Sequence, residues 1–371
     1  MKTLGDVAEW GSGGTPRRGV AEYFGEGTPW LSIADLNDGV VCEARESLTA
    51  AGIANSSAKV VPAGTVFVAM YGSIGKLGVA GREMCTSQAI AFAKPRAELV
   101  DRQYLFNYLM AQRPALLARG RGGTQMNIGQ GDLKAWPIPL PPLDEQRRIA
   151  AILDHADALR AKRRQVFAHL DALTRSIFHD MFVAGAVWPS VVIGSLGTIT
   201  TGRTPPTARA GMFGGPIPFV TPGDLGSGVP VARSLTNEGA VESRVVRTGA
   251  TLVCCIGATI GKVGNAGEPS ALNQQINAVE WGSSINELYG LEVMRRLKPT
   301  IVARAASTTL PLLPKGQFSK LQIPVPPLEL QAAFASRMQQ IFRQRGSVGK
   351  AQSAEHGLFS SLQSRAFRGE L

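Results

Sequence analysis

The sequence predicts an α+β fold in which two tandem-repeated mixed α/β domains are separated by two long antiparallel coiled-coil helices. Three observations carry this expectation. The chain repeats once in collinear blocks. Each repeat opens with β-branched runs punctuated by Gly and Pro, and each closes, after a proline cluster, on a long proline-free stretch with a heptad seam. The boundaries that follow are a first domain over 1–142, a central long helix over 143–185, a second domain over 186–327 and a C-terminal long helix over 328–371.

Leu4-Gly5 is matched by Ile193-Gly194, Gly13 by Gly202, Thr15-Pro16 by Thr204-Pro205, and Asp35-Leu36 by Asp224-Leu225, all at an offset of 189. The offset falls to 186 at Ile74-Gly75-Lys76 and Ile260-Gly261-Lys262. It is 185 where Ile138-Pro139-Leu140-Pro141-Pro142-Leu143 meets Ile323-Pro324-Val325-Pro326-Pro327-Leu328, and where Phe182 meets Phe367. Matches concentrated in Gly, Pro and aromatic residues point to one backbone framework built twice.

In the first part of each repeat, short β-branched runs between turn residues predict strands, and 102–117 predicts a helix. Residues 143–182 hold neither Gly nor Pro and follow two prolines, with Asp144 and Glu145 in the first turn, a good helix start. The predicted seam runs through Ile149, Ile152, Leu159, Val166, Leu170, Leu173 and Ile177, interrupted by Arg163. At 1.5 Å per residue such a helix spans about 60 Å and needs a partner. The stretch 328–367 offers one, with Phe334, Ile341, Val348, Leu358 and Leu362 on its seam, although Gly346 and Gly349 weaken its middle.

Composition bounds the function. The 371 residues suffice for two to three domains, and 44% hydrophobic with 18% charged describes a folded chain. The longest apolar runs, 65–70 and 251–256, are strand-sized, far below the roughly 20 residues of a spanning helix. The start MKTLGDVAEW has no hydrophobic signal region, so a cytoplasmic location and no membrane partner are expected. Cys42 and Cys85 stand alone, and Cys254 and Cys255 sit in an apolar run, which suits buried thiols and no disulfides. The net charge of +11, with +3 on 1–185 and +8 on 186–371, points to a polyanion. The second repeat is expected to grip phosphate more strongly.

Catalytic patterns are missing. GSIGK at 72–76 and GATIGK at 257–262 lack phosphate-loop spacing, Lys76 being followed by Leu and Lys262 by Val. His155, His169, His179 and His356 have no ligand spacing, and no activated nucleophile is apparent, so neither a metal nor catalytic residues are expected. The residues suited to phosphate and base contact are Arg17 and Arg18 beside the first Thr-Pro, and Arg203 and Arg209 around the second. The matched Lys76 and Lys262 join them, as do Arg119, Arg121, Gln125 and Asn127 on a Gly-rich loop, with Arg304 and Lys315 in the counterpart of that loop. Solvent-facing turns would carry the same residues. The unmatched segments 45–57 and 233–244 are expected to hold the differences in specificity.

The repeated Pro-x-Pro-Pro-Leu, followed by Glu145-Gln146 and a helix ending Leu173-x-x-Ser176-Ile177-x-x-x-x-Phe182, resembles the specificity subunit of type I restriction-modification systems. So does the close Leu358-x-x-Ser361-Leu362-x-x-x-x-Phe367-x-Gly369-Glu370-Leu371, together with Leu4-Gly5-Asp6-Val7, Gly13-Gly14-Thr15-Pro16 and Pro29-Trp30-Leu31. The resemblance implies two target recognition domains that read a bipartite site on double-stranded DNA, with the long helices as a ruler for the spacer. It implies no chemistry on this chain. Two modification (methyltransferase) subunits would methylate adenine with S-adenosylmethionine, and restriction/translocase subunits would use ATP and Mg. One departure is Leu330-Gln331 where the first repeat has Glu145-Gln146. On the residues alone, a nuclease half with a cryptic site and a coiled-coil scaffold with two protein-binding lobes stay open.

Overall fold

The computed structural model describes residues 2–371 apart from 123–125, 186, 227–229 and 306–309, with side chains described outside 347–357 and 360. Four helices organise it: α1 (Arg102–Arg119), α2 (Leu143–Phe182), α3 (Glu287–Arg296) and α4 (Leu328–Ala366). Asp101 caps α1 by accepting from the N–H groups of Gln103 and Tyr104, and Asn286 caps α3 by accepting from Leu288 N–H. α2 occupies the expected 40 residues, and α4 runs 39 residues through Gly346 without a break.

The compact units do not follow the linear division into four segments. Residues 1–162 and 352–371 form unit 1, and 163–351 form unit 2. Each unit therefore takes the head of one long helix and the tail of the other. The reason is apolar burial. Two helices lying head against tail bring each helix end onto a different globular core.

In unit 1 a five-stranded sheet runs in the order Ala8–Ser12, Ile90–Pro95, Val66–Ala69, Leu77–Ala80, Val40–Val41, antiparallel except for the last pair. Its alternating residues serve two cores. Val66 and Val68 pack toward Tyr104, Leu105 and Leu109 of α1 and Ile149 and Leu153 of α2, while Phe67 and Ala69 pack toward Leu31 and Leu36. The central strand of a smaller sheet is Phe24–Leu31, paired antiparallel with Glu46–Leu48 and parallel with Cys85–Thr86.

Unit 2 repeats the plan. Gly197–Thr201, Ile276–Trp281, Thr251–Cys254 and Val263–Asn265 form an antiparallel sheet. Its second sheet is ordered Ser234–Leu235, Phe213–Val220, Ser270–Leu272, Val245–Val246. In each unit one further strand pair ties the start of the repeat to the proline cluster, Lys2–Thr3 with Pro137–Ile138 and Ser190–Val192 with Gln322–Pro324.

The matched glutamine after each proline cluster is a buried clamp. Gln146 Oε1 accepts from Asp101 N–H at 2.9 Å, and its Nε2 donates to the carbonyls of Leu99 and Pro141. Gln331 repeats all three bonds, accepting from Asn286 N–H at 2.8 Å and donating to the carbonyls of Ser284 and Pro326. One side chain thus joins the long helix to the loop that starts α1 or α3. A repeated phenol completes the joint, since the hydroxyls of Tyr104 and Tyr289 donate to the carbonyls of Pro139 and Pro324.

Burial varies along the predicted heptad seam. Ile149, Phe334 and Ile341 are buried, and Ile152, Leu170, Ile177 and Leu362 are half-buried, but Leu159, Val166 and Leu173 are 40%, 41% and 47% exposed. Leu358 is 59% exposed and meets Leu159 only across a hollow of about 70 Å³. The side chain of Val348 lies outside the described residues. The buried stripe of α2 instead follows Gln146, Ile149, Ala150 and Leu153 at its head and Thr174, Phe178 and Phe182 at its tail. The globular cores dictate burial there.

Gln331→Leu keeps the bulk but leaves an N–H and two carbonyls unpaired, at about 1–3 kcal/mol per buried group. Denaturant unfolding is expected to show a loss of at least about 2 kcal/mol, whereas Leu173→Ala at an exposed position should stay within about 0.5 kcal/mol.

Candidate nucleic-acid interface

The sheet registers gather the matched loops of the repeats at one end of each main sheet. In unit 1, Ser12 opposes Ala91, Ala69 opposes Ile90 and Val68 opposes Leu77. The loops leaving these residues, 13–18, 70–76 and 87–89, therefore emerge together. In unit 2, Thr201 opposes Asn277, Cys254 opposes Ile276 and Val253 opposes Val263, which gathers 202–204, 255–262 and 273–275 in the same way.

Steric limits explain the first motif. A Cβ on Gly13 would lie 1.8 Å from the Thr86 carbonyl oxygen, and one on Gly202 would lie 2.2 Å from that of Asn273. The glycines let the chain pass, and the hydroxyls of Thr15 and Thr204 then donate to Oε1 of Gln88 and Gln274. The matched aspartates are also structural. Asp35 Oδ2 accepts from the N–H and hydroxyl of Ser32 at 2.8 and 2.6 Å, and Asp224 accepts from those of Thr221, both at 2.7 Å.

GSIGK and GATIGK are hairpin turns. Gly75 and Gly261 take φ of +74° and +79°, and Ala69 and Cys254 N–H donate to the carbonyls of Lys76 and Lys262 at 2.9 Å. A strand follows each, so neither motif opens a helix. Lys76 is half-buried and its Nζ donates to the Ile33 carbonyl at 3.2 Å, while Lys262 is half-buried at the matching position. Arg113, which no sequence pattern singles out, holds the first turn by donating from Nε to the Gly75 carbonyl at 2.7 Å while its guanidinium pairs with Asp38.

The structure divides the other candidates. Arg121 and Asn127 exchange backbone hydrogen bonds of 2.8 Å and close the Gly-rich loop, and both side chains are exposed. Gln125 lies outside the described residues. Arg119 lies over the Trp136 ring, 5.5 Å from its centroid. Arg304 ends the helix Lys298–Arg304 and Lys315 starts Lys315–Phe318, both exposed beside the matching loop of unit 2. Arg17 is exposed on the 13–18 loop.

Arg18 is engaged elsewhere. It pairs with Glu46 and lies 4.9 Å from the ring centroids of both Phe24 and Trp30, and its carboxylate partner raises its pKa. Arg209 pairs with Glu238 and Glu242, and Arg203 lies 3.9 Å from Glu242.

The segments 45–57 and 233–244, expected to differ, share one framework. Each holds a short strand and a short helix, Ala50–Ala54 or Asn237–Glu242, capped by Thr49 or Thr236 with the same 3.1 Å bond from Gly52 or Gly239. Shifts of one or two residues in offset hid this match. The sequence also missed that the Gly-rich loop pairs with the main sheet, Asn127 opposite Tyr71 in unit 1 and Leu312 opposite Ile256 in unit 2. All four positions obey the 185 offset, which was the available signal.

Among the described residues no cluster of three His, Cys, Asp or Glu side chains could hold a metal, and no helix is long and apolar enough to cross a membrane. Cys85, Cys254 and Cys255 are buried free thiols, and burial pushes Cys255 up to about 12.

The family described as the type I restriction modification DNA specificity domain matches residues 1–166 and again 187–352. The chain belongs to this family. Recognition of DNA is therefore its role. It is similar to the type I restriction enzyme MjaIX specificity subunit of Methanocaldococcus jannaschii, with 24% identity over 92% of this chain and 86% of that one. The EcoR124I/EcoR124II specificity subunit of Escherichia coli is 27% identical over 43% of this chain, and that match spans only 41% of the relative. In fold, this specificity-family chain resembles the crystal structure of the type I system S subunit from M. genitalium, with a TM-score of 0.64 at 16% identity over 99% and 95% of the two chains. A second structure, from work on complex assembly and conformational transition of the type I R-M system, gives a TM-score of 0.56 at 19% identity over 100% and 97%.

Salt dependence separates the two kinds of arginine. Arg121→Ala should lower the slope of log affinity against log salt by about one on any duplex, whereas Glu46→Gln releases the Arg18 guanidinium and should steepen it. Titration of a nonspecific duplex from about 50 to 200 mM salt measures both slopes.

Proposed function

We propose that this chain is the non-catalytic, sequence-specific recognition subunit of a type I restriction-modification complex, reading a bipartite DNA site and directing adenine methylation and restriction by partner subunits. One observation carries this reading: the same cluster of loops, built on the same Gly, Thr and Gln framework, ends the main sheet in both units. Two copies of one surface with different exposed side chains suit two half-sites of different sequence. Exposed Arg17, Arg121 and Arg304 beside those loops supply phosphate contacts that position the surface without specifying it.

The long helices serve as the spacer rule. α2 at 40 residues corresponds to about 60 Å, and half-sites on one face of DNA lie about 34 Å apart or at multiples of that. The exposed Val166 and Leu173 offer apolar surface on which two modification subunits dock. S-adenosylmethionine belongs to those subunits, and ATP and Mg to restriction/translocase subunits. All of these act on DNA in the cytoplasm.

Co-expression with modification subunits, followed by mapping of methylated adenines in genomic DNA, tests the reading. A bipartite motif present only with this chain is expected, and a stable complex that leaves no such motif contradicts it. Deleting seven residues from both long helices removes about 10 Å and should shorten the spacer by roughly three base pairs. An unchanged spacer would refute the ruler.

A further inference from the structure

The two units differ chemically at one structurally identical place. In unit 1, Ile128 N–H donates to the Met70 carbonyl and Gly72 N–H donates to that of Met126, which sets Tyr71 opposite Asn127. In unit 2, Leu313 N–H donates to the Cys255 carbonyl and Gly257 N–H donates to that of Pro311, which sets Ile256 opposite Leu312. These two backbone bonds are the same in both units. The side chains are a phenol and a carboxamide in one unit and two branched alkyl groups in the other.

All four lie at the sheet end where the basic loops emerge. Tyr71, Asn127 and Leu312 are exposed, and Ile256 is half-buried. Among the described residues the Asn127 amide has no hydrogen-bond partner, so its donor and acceptor are available. An exposed Leu312 beside an exposed Leu310 is costly in water unless something apolar covers it.

Residues identical in both units cannot tell two half-sites apart. Thr15 with Gln88 and Thr204 with Gln274 make the same bond in the same place, so they serve what the half-sites share. Discrimination requires residues that differ while their backbone does not. The bridge meets that condition.

Resting on the recognition role proposed above, we propose that this bridge pair is the specificity-determining position in each unit: Tyr71 and Asn127 read one half-site through hydrogen bonds to base edges, and Ile256 and Leu312 read the other through apolar contact. A carboxamide pairs its donor and acceptor with N6 and N7 of adenine in the major groove, and an alkyl group packs on the thymine methyl. The first half-site should therefore hold an adenine, and the second a thymine, at the position facing the bridge.

The test selects from a random duplex pool with the full chain, comparing wild type with Asn127→Leu, Tyr71→Phe and Leu312→Asn. Asn127→Leu is expected to cost roughly ten- to hundredfold of base discrimination at one position of one half-site, leaving the other half-site and the salt slope unchanged. Leu312→Asn should do the reverse. Because these side chains are exposed, thermal melting should match wild type, and Tyr71→Phe removes only a hydroxyl if larger changes perturb the loop. A wild-type chain that selects no sequence overturns the recognition role itself. A wild-type chain that selects two half-sites, with both kept by all three variants, overturns this inference alone, as do variants that shift both half-sites together.

Discussion

One aromatic contact, made twice, closes each unit. Phe182 at the tail of α2 packs against Tyr289 of α3 with ring centroids 4.8 Å apart, and Phe367, just beyond α4, packs against Tyr104 and Tyr108 of α1 at 5.5 and 5.1 Å. The tail of each long helix thereby completes the core of the other repeat. Such edge-on pairs are worth about 0.5–1.5 kcal/mol beyond area burial, and truncating a buried Phe costs about 3–5 kcal/mol. Phe178, Phe182 and Phe334 add a further aromatic cluster in unit 2. Within each unit the head of one long helix meets the tail of the other, as Arg160 over Phe359 in unit 1 and Arg345 with Asp171 in unit 2, and the glutamine clamps fix where each helix starts.

Recognition follows from this division of labour. The framework residues, Gly13 and Gly202, Thr15 and Thr204, Gln146 and Gln331, are duplicated because they solve the same backbone problem twice. Charge does not follow that symmetry. Arg18, Arg203 and Arg209 pair with nearby glutamates already counted in the net charge, so the surplus of positive charge rests on other basic residues. Within the loops at the sheet ends, Ile74 and Ile260 anchor the turns in the cores, while the exposed positions beside them are free to differ.

Much of the fold was legible in the sequence because Gly, Pro and aromatic residues report backbone geometry directly. The tandem repeat and the start of α2 after its two prolines came from such residues. The exchange of helix tails was not legible, since the Phe182 and Phe367 match says that two positions are equivalent but not which core each one fills. A heptad pattern reports only a possible partner helix, and it carries no signal that the globular cores also bury the two ends of α2 at Leu153 and Phe178. The candidate site was less legible still. Whether an arginine faces DNA or a glutamate depends on contacts such as Arg18 with Glu46, 28 residues apart, which no local pattern records.

Selection from a random duplex pool by the full chain carrying either Phe367→Ala or Phe182→Ala tests most directly that each tail completes the recognition surface of the other repeat. The account predicts that each variant loses one half-site and keeps the other, that the two variants lose different half-sites, and that hydrogen exchange rises in α1 for Phe367→Ala and in α3 for Phe182→Ala. Loss of the same half-site in both variants, or exchange that rises in α3 for Phe367→Ala, would contradict it.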